Sequence, residues 1–125
     1  MKEIVRKHGI SFQNALRGVI WSVRTQPNFR IHLFLAVWAI TLGVTLGISR
    51  VEMIIIAFTI VLGITSEMIN TAIESMTDLI TKEWRAEAKI AKDVSAGMML
   101  VTAVGAVVVA SMIYIPYLLL LFPMN

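Results

Sequence analysis

The sequence predicts an all-α membrane protein, with an N-terminal amphipathic surface helix followed by three transmembrane helices. Two observations carry this. The 125 residues are 58% hydrophobic and only 15% charged, too apolar for a soluble globule. The charges are also segregated before residue 31, around 50–52 and between 67 and 93, with long uncharged runs between them. A chain of this length is expected to form one domain. It has no Cys, which excludes disulfides and thiol chemistry. The net charge of +3 is small and placed beside the apolar runs, so nucleic acid is not an expected partner.

Residues 1–30 are polar and basic. Phe12, Leu16, Val19, Ile20 and Val23 recur at three- and four-residue spacing, so Ser11–Arg24 reads as an amphipathic helix lying on the membrane surface. Ser11 is its expected N-cap, and Pro27 is expected to stop it at about Gln26. No apolar stretch and small-residue cleavage site follow the basic start, so a secretory signal peptide is not expected. Residues 31–49 carry no charge apart from the titratable His32 and form the first expected span. Arg50–Glu52 is a short polar break, which makes the second helix antiparallel to the first.

That second helix, expected over 52–71 and continuing out of the membrane to about 81, holds the informative residues. Met53–Ser66 supplies only 14 uncharged residues, or roughly 21 Å, which is short of a full span. Glu67 is therefore carried to the edge of the apolar layer. At about 100° per residue, Glu67, Asn70, Glu74 and Asp78 fall within a sector of roughly 80°. Like charges so spaced repel, and the row costs stability unless a cation meets it. Residues 81–93 mix both signs and are expected to hold a turn. The third span is expected over 94–116, with Pro116 and Pro123 punctuating its far end and Tyr114 and Tyr117 in an aromatic belt. Gly43, Gly47, Gly97 and Gly105 are expected to permit close helix approach. His32 is expected to be a hydrogen-bonded structural residue.

Orientation follows from Lys and Arg. Six precede residue 31, four lie in the second connection, one in the first and none in the tail. The positive-inside rule then puts the N-terminus and the acidic row in the cytoplasm and the C-terminus outside. Three helices wall off few intramembrane polar groups, so a homo-oligomer is expected.

A carboxylate row at the membrane surface suits binding of a divalent cation by oxygen ligands, general-base catalysis, or relay of protons or cations. The sequence has neither a GxxxxGK[ST] nor a GxGxxG phosphate loop. His8 and His32 lack zinc-ligand spacing.

Three segments together decide among these chemistries: Asn28–Phe29–Arg30–Ile31–His32, the Glu67–x–x–Asn70–x–Ala72–x–Glu74–x–x–x–Asp78 helix, and Ala91–Lys92–Asp93. They resemble the bacterial integral-membrane diacylglycerol kinase family, which includes undecaprenol kinases, from Phe12 to about Ile115. The resemblance implies a homotrimer in the bacterial inner membrane that moves the γ-phosphate of Mg-ATP to the hydroxyl of a lipid alcohol, diacylglycerol or undecaprenol. It implies Glu67 as catalytic base, Asn70 positioning hydroxyl or phosphate, and Glu74 as Mg²⁺ ligand. Nucleotide contacts are implied at Lys92, Asp93, Glu83, Trp84 and Arg85, and Asp78 is grouped with them. The family's second metal ligand is a Glu where this chain has Gln26, whose carbonyl coordinates a hard cation without supplying charge. Two other classes remain: a small oligomeric transporter coupled through Glu67, and a scaffold that needs the spans but not the acids.

Overall fold

The computed structural model describes residues 1–121, and side chains from residue 9 onward together with Met1. Four helices follow one another: α1 (Lys2–Thr25), α2 (Pro27–Leu46), α3 (Arg50–Ile80) and α4 (Ala86–Leu121). α2, α3 and α4 are long and apolar enough to cross a membrane. The described residues contain no strand.

Pro27 acts on both sides of the first junction. It cannot continue α1, yet its fixed φ suits the first turn of a new helix, where a missing N–H costs nothing. Gln26 accordingly leaves the helix with φ −101° and ψ 109°, and caps both α1 and α2. The helix that carries the first expected span therefore begins at Pro27. Ser11 is not an N-cap, because α1 extends back through it to Lys2. Phe12, Leu16, Ile20 and Trp21 of α1 are left uncovered by the rest of the chain.

The break between α2 and α3 also falls earlier than the sequence indicated. It comprises residues 47–49, and Arg50–Glu52 already belong to α3. Gly47 ends α2 with φ +66°, the left-handed region that a side chain disfavours. Ser49 then starts α3 with a capping box. The Ser49 backbone N–H donates to Glu52 Oε2 at 2.8 Å, and the Glu52 N–H donates to Ser49 Oγ at 3.3 Å. Gly43 is the position where close approach matters: a Cβ there would stand 2.9 Å from the side-chain tips of Ile48 and Met53. Gly97 and Gly105 face open space instead, so they bring no helix of this chain closer.

α3 pairs with α4 antiparallel, and three polar ties set the register. Tyr117 Oη donates to Glu52 Oε2 at 2.7 Å at one end, and Ser66 and Thr102 share a hydrogen bond of 3.3 Å in the middle. Lys92 Nζ donates to Asp78 Oδ1 at 2.5 Å at the other end. The small core of Ile56, Ile113 and Tyr114 lies between the first two ties. Tyr114 Oη donates to the Ala39 carbonyl of α2 at 2.8 Å, linking the third span to the first. Pro116 lies inside α4 rather than ending it. A transmembrane helix tolerates the lost backbone bond when its neighbours hold it, as the two flanking tyrosines do here. Pro123 falls outside the described residues.

At about 1.5 Å per residue, α2 is about 30 Å long and α3 about 46 Å. Both start from the same tight turn, so the excess length of α3 projects from the opposite end of the bundle. Glu67 then lies level with the beginning of α2.

Replacing Tyr114 by Phe should remove the tie to Ala39 while keeping the ring. We expect unfolding in detergent to become easier by about 0.5–1.5 kcal/mol with helix content unchanged. Equal stability of the two proteins would show that this bond does not hold α4 to α2.

Candidate active site

α3 buries its polar residues where a lipid-facing helix would bury apolar ones. Ser66, Glu67, Asn70, Thr71 and Thr77 are all buried, and Glu67 is only 2% exposed. Helical periodicity explains why they share a face, and packing against α4 explains why that face is covered. A buried carboxylate in a membrane protein is costly unless it serves a purpose or meets a partner.

His32 is expected to be hydrogen-bonded, but among the described residues it has no hydrogen-bond partner. Its Nδ1 lies 3.9 Å from where a Gly63 Cβ would stand, one turn before Glu67. It lines a 280 Å³ apolar cavity between α2, α3 and α4, together with Trp38, Ile60, Thr102 and Tyr114. This cavity follows the spans away from Glu67 towards the Tyr114 end.

One turn beyond Glu67, the Asn70 amide N–H donates to Glu74 Oε1 at 3.2 Å. Asn70 is 6% exposed, and its Oδ1 is buried without a hydrogen-bond partner among the described residues. A buried amide oxygen without a donor is costly. The orientation of the amide follows from chemistry: the ionised Glu74 carboxylate only accepts, so the nitrogen must face it and the oxygen is left over. An empty acceptor beside a carboxylate suits a hard cation, and in this respect the residues present fit Mg²⁺.

Farther out, six charged residues form three pairs. Lys92 bonds Asp78 across α3 and α4, Lys89 bonds Asp93 one turn along α4, and Arg85 Nη2 bonds Glu83 Oε2 at 3.0 Å. Lys92 and Asp93 are adjacent, so both residues expected to meet a nucleotide are held by exposed ion pairs. A 490 Å³ cleft between the end of α3 and the start of α4 is lined by Thr77, Thr81, Arg85 and Glu87. Trp84 is 79% exposed beside it.

Glu67, Asn70, Glu74 and Asp78 thus form one row, and Asp78 brings Lys92 to its outer end. Gln26 lies at the α1–α2 junction, and its amide nitrogen donates to the adjacent Thr25 Oγ1 at 3.5 Å. Among the described residues, no three His, Asp or Glu side chains converge as a metal cluster. The sequence reading missed Lys89 as the partner of Asp93, although their four-residue spacing was the available signal. It also missed the Ser66–Thr102 bond, which no local pattern reveals.

Fold and site together define a three-span helical membrane protein with a carboxylate–amide row on the long central helix. A model of the prokaryotic diacylglycerol kinase family matches residues 13–114. A diacylglycerol kinase of Synechocystis sp. is 40% identical over 111 residues, covering 88% of this chain and 63% of that protein. The undecaprenol kinase of Bacillus subtilis is 38% identical over 109 residues, covering 86% of this chain and 88% of that protein. The chain therefore spans less than two thirds of the Synechocystis relative's length and most of the Bacillus one's. It belongs to the prokaryotic diacylglycerol kinase family.

The Asp78–Lys92 pair is exposed, so its strength should be modest. A double-mutant cycle with Asp78→Asn and Lys92→Met should give a coupling of about 0.2–1 kcal/mol that shrinks as salt is added. A coupling insensitive to salt would contradict an exposed pair.

Proposed function

We propose that this protein is a lipid kinase that transfers the γ-phosphate of ATP to the hydroxyl of a membrane lipid alcohol. The observation that carries this is the position of Glu67: a buried carboxylate level with the beginning of α2, next to the Asn70–Glu74 pair and below the exposed ion pairs of the α3–α4 end. ATP is water-soluble and the acceptor hydroxyl sits at headgroup depth, so a site for both must straddle that boundary. Family membership supports the same chemistry.

In the proposed reaction the acceptor hydroxyl gives its proton to the Glu67 carboxylate. Its oxygen forms a bond to the γ-phosphorus as the bond to the β-phosphate oxygen breaks, and ADP leaves. Lys92 exchanges its exposed bond to Asp78 for a phosphate oxygen, and Asp93 is released from Lys89 to meet the nucleoside. Glu83, Trp84 and Arg85 border the cleft for the rest of the nucleotide. Glu74, with the Gln26 side-chain carbonyl as a second candidate, would hold Mg²⁺, which when bound would supply charge neutralisation to the phosphates. The acceptor is diacylglycerol or undecaprenol; the near-complete match to the Bacillus relative favours offering undecaprenol alongside diacylglycerol. A homotrimer in the bacterial inner membrane, with its N-terminus and the acidic row cytoplasmic, completes the proposal.

The deciding experiment gives purified protein in mixed micelles labelled ATP, Mg²⁺ and either lipid. Transfer of label to one lipid names the acceptor. A folded protein that labels neither would bring forward a transporter or a scaffold. Glu67→Gln should lower turnover by about two orders of magnitude or more while ATP binding survives, because it removes a base and no nucleotide contact. Unchanged turnover would exclude Glu67 as the base. Glu74→Gln should raise the Mg²⁺ concentration needed for half-maximal turnover steeply, and an unchanged Mg²⁺ titration would remove Glu74 from the metal site.

A further inference from the structure

We propose that Asn70 is an oxygen ligand of the divalent cation, binding it through Oδ1 beside the Glu74 carboxylate. The proposal rests on the kinase reading only in taking Glu74 as a cation ligand. Its own basis is the unpartnered, buried Oδ1 on an amide whose nitrogen is committed to Glu74.

The missing partner must be a proton donor or a cation, because an amide oxygen only accepts. A phosphate oxygen is an acceptor too and is excluded as a direct partner. The acceptor alcohol has one hydroxyl proton, and that proton goes to Glu67. Two buried hydroxyls of this end of the bundle donate elsewhere: Thr77 Oγ1 to the Ile73 carbonyl at 2.8 Å and Ser95 Oγ to the Lys92 carbonyl at 2.9 Å. Of the partners still open, water and a hard cation, the cation is the one that the neighbouring Glu74 carboxylate favours, and Mg²⁺ readily takes a neutral amide oxygen together with one carboxylate and water.

The hydrogen bond between the two side chains has a consequence. It orients the Glu74 carboxylate while leaving Oδ1 of the same amide free, so one residue both aligns a ligand and supplies another. It also bears on Gln26, which brings no negative charge and faces Thr25. In this chain the cation is held principally from α3, by residues one turn apart whose spacing does not depend on how α1 is placed.

Mn²⁺ serves as the probe, titrated into protein in detergent with a non-hydrolysable ATP analogue and followed by electron paramagnetic resonance of the free ion. Asn70→Ala should weaken Mn²⁺ binding by about tenfold or more. Asn70→Asp, which keeps an oxygen at that position and adds charge, should bind at least as tightly as the unaltered protein. Mn²⁺ affinity unchanged in Asn70→Ala, or weakened in Asn70→Asp, would overturn the proposal. Should Asn70→Ala fail to fold, Asn70→Asp alone decides. Label transfer to lipid is read separately. Transfer with Asn70-independent Mn²⁺ binding would sink this inference and leave the kinase standing, whereas Asn70-dependent binding without transfer would do the reverse.

Discussion

The antiparallel pairing of α3 with α4 is the constraint on which the rest of the structure depends. Apolar side chains gain little by meeting one another in lipid, since the tails around them are equally apolar, so helices there are aligned by packing and polar contacts. Tyr117–Glu52, Ser66–Thr102 and Lys92–Asp78 are spread along the whole paired length. A slip of α4 by one turn, about 5.4 Å, would break all three together. That shared register covers the polar face of α3 and brings Lys92 to the outer end of the acidic row.

The turn at Gly47–Ser49 works with this pairing. Because α2 and α3 leave it side by side, the difference in their lengths becomes a projection at one end only. Polar residues of α3 near the beginning of α2 sit at the boundary between the apolar spans and the charged region, and those beyond it sit among charges. Glu67 is on the inner side of that boundary and Asp78 on the outer. The chemistry proposed for the row follows from this gradient in environment more than from the identity of any one acid.

The site also shows how a helix accommodates three acids on one face. Glu74 is met by the Asn70 amide and Asp78 by Lys92, while Glu67 is buried at 2% exposure. The exposed pairs contribute little stability and are correspondingly easy to exchange for a ligand. Among the described residues the buried Asn70 oxygen is left without a hydrogen-bond partner, and this unmet need points to a bound species.

Much was legible without coordinates. Three long apolar runs require three spanning helices, because no other single-chain element made of such residues satisfies its backbone in lipid. The 3.6-residue period placed Glu67, Asn70, Glu74 and Asp78 on one face, since side-chain direction within a helix depends only on spacing. Helix ends were less legible: Pro27 opened α2 instead of only closing α1, and Pro116 passed inside α4, because a proline's effect depends on what lies beside it. Tertiary structure alone decided that Ser66 meets Thr102, that His32 lines a cavity beside Gly63, and that Lys92 reaches Asp78. These contacts join residues far apart in the chain, and no local period encodes the register of one helix on another. The sequence determined which groups stand in the row, and packing determined which of them is left with an unmet bond.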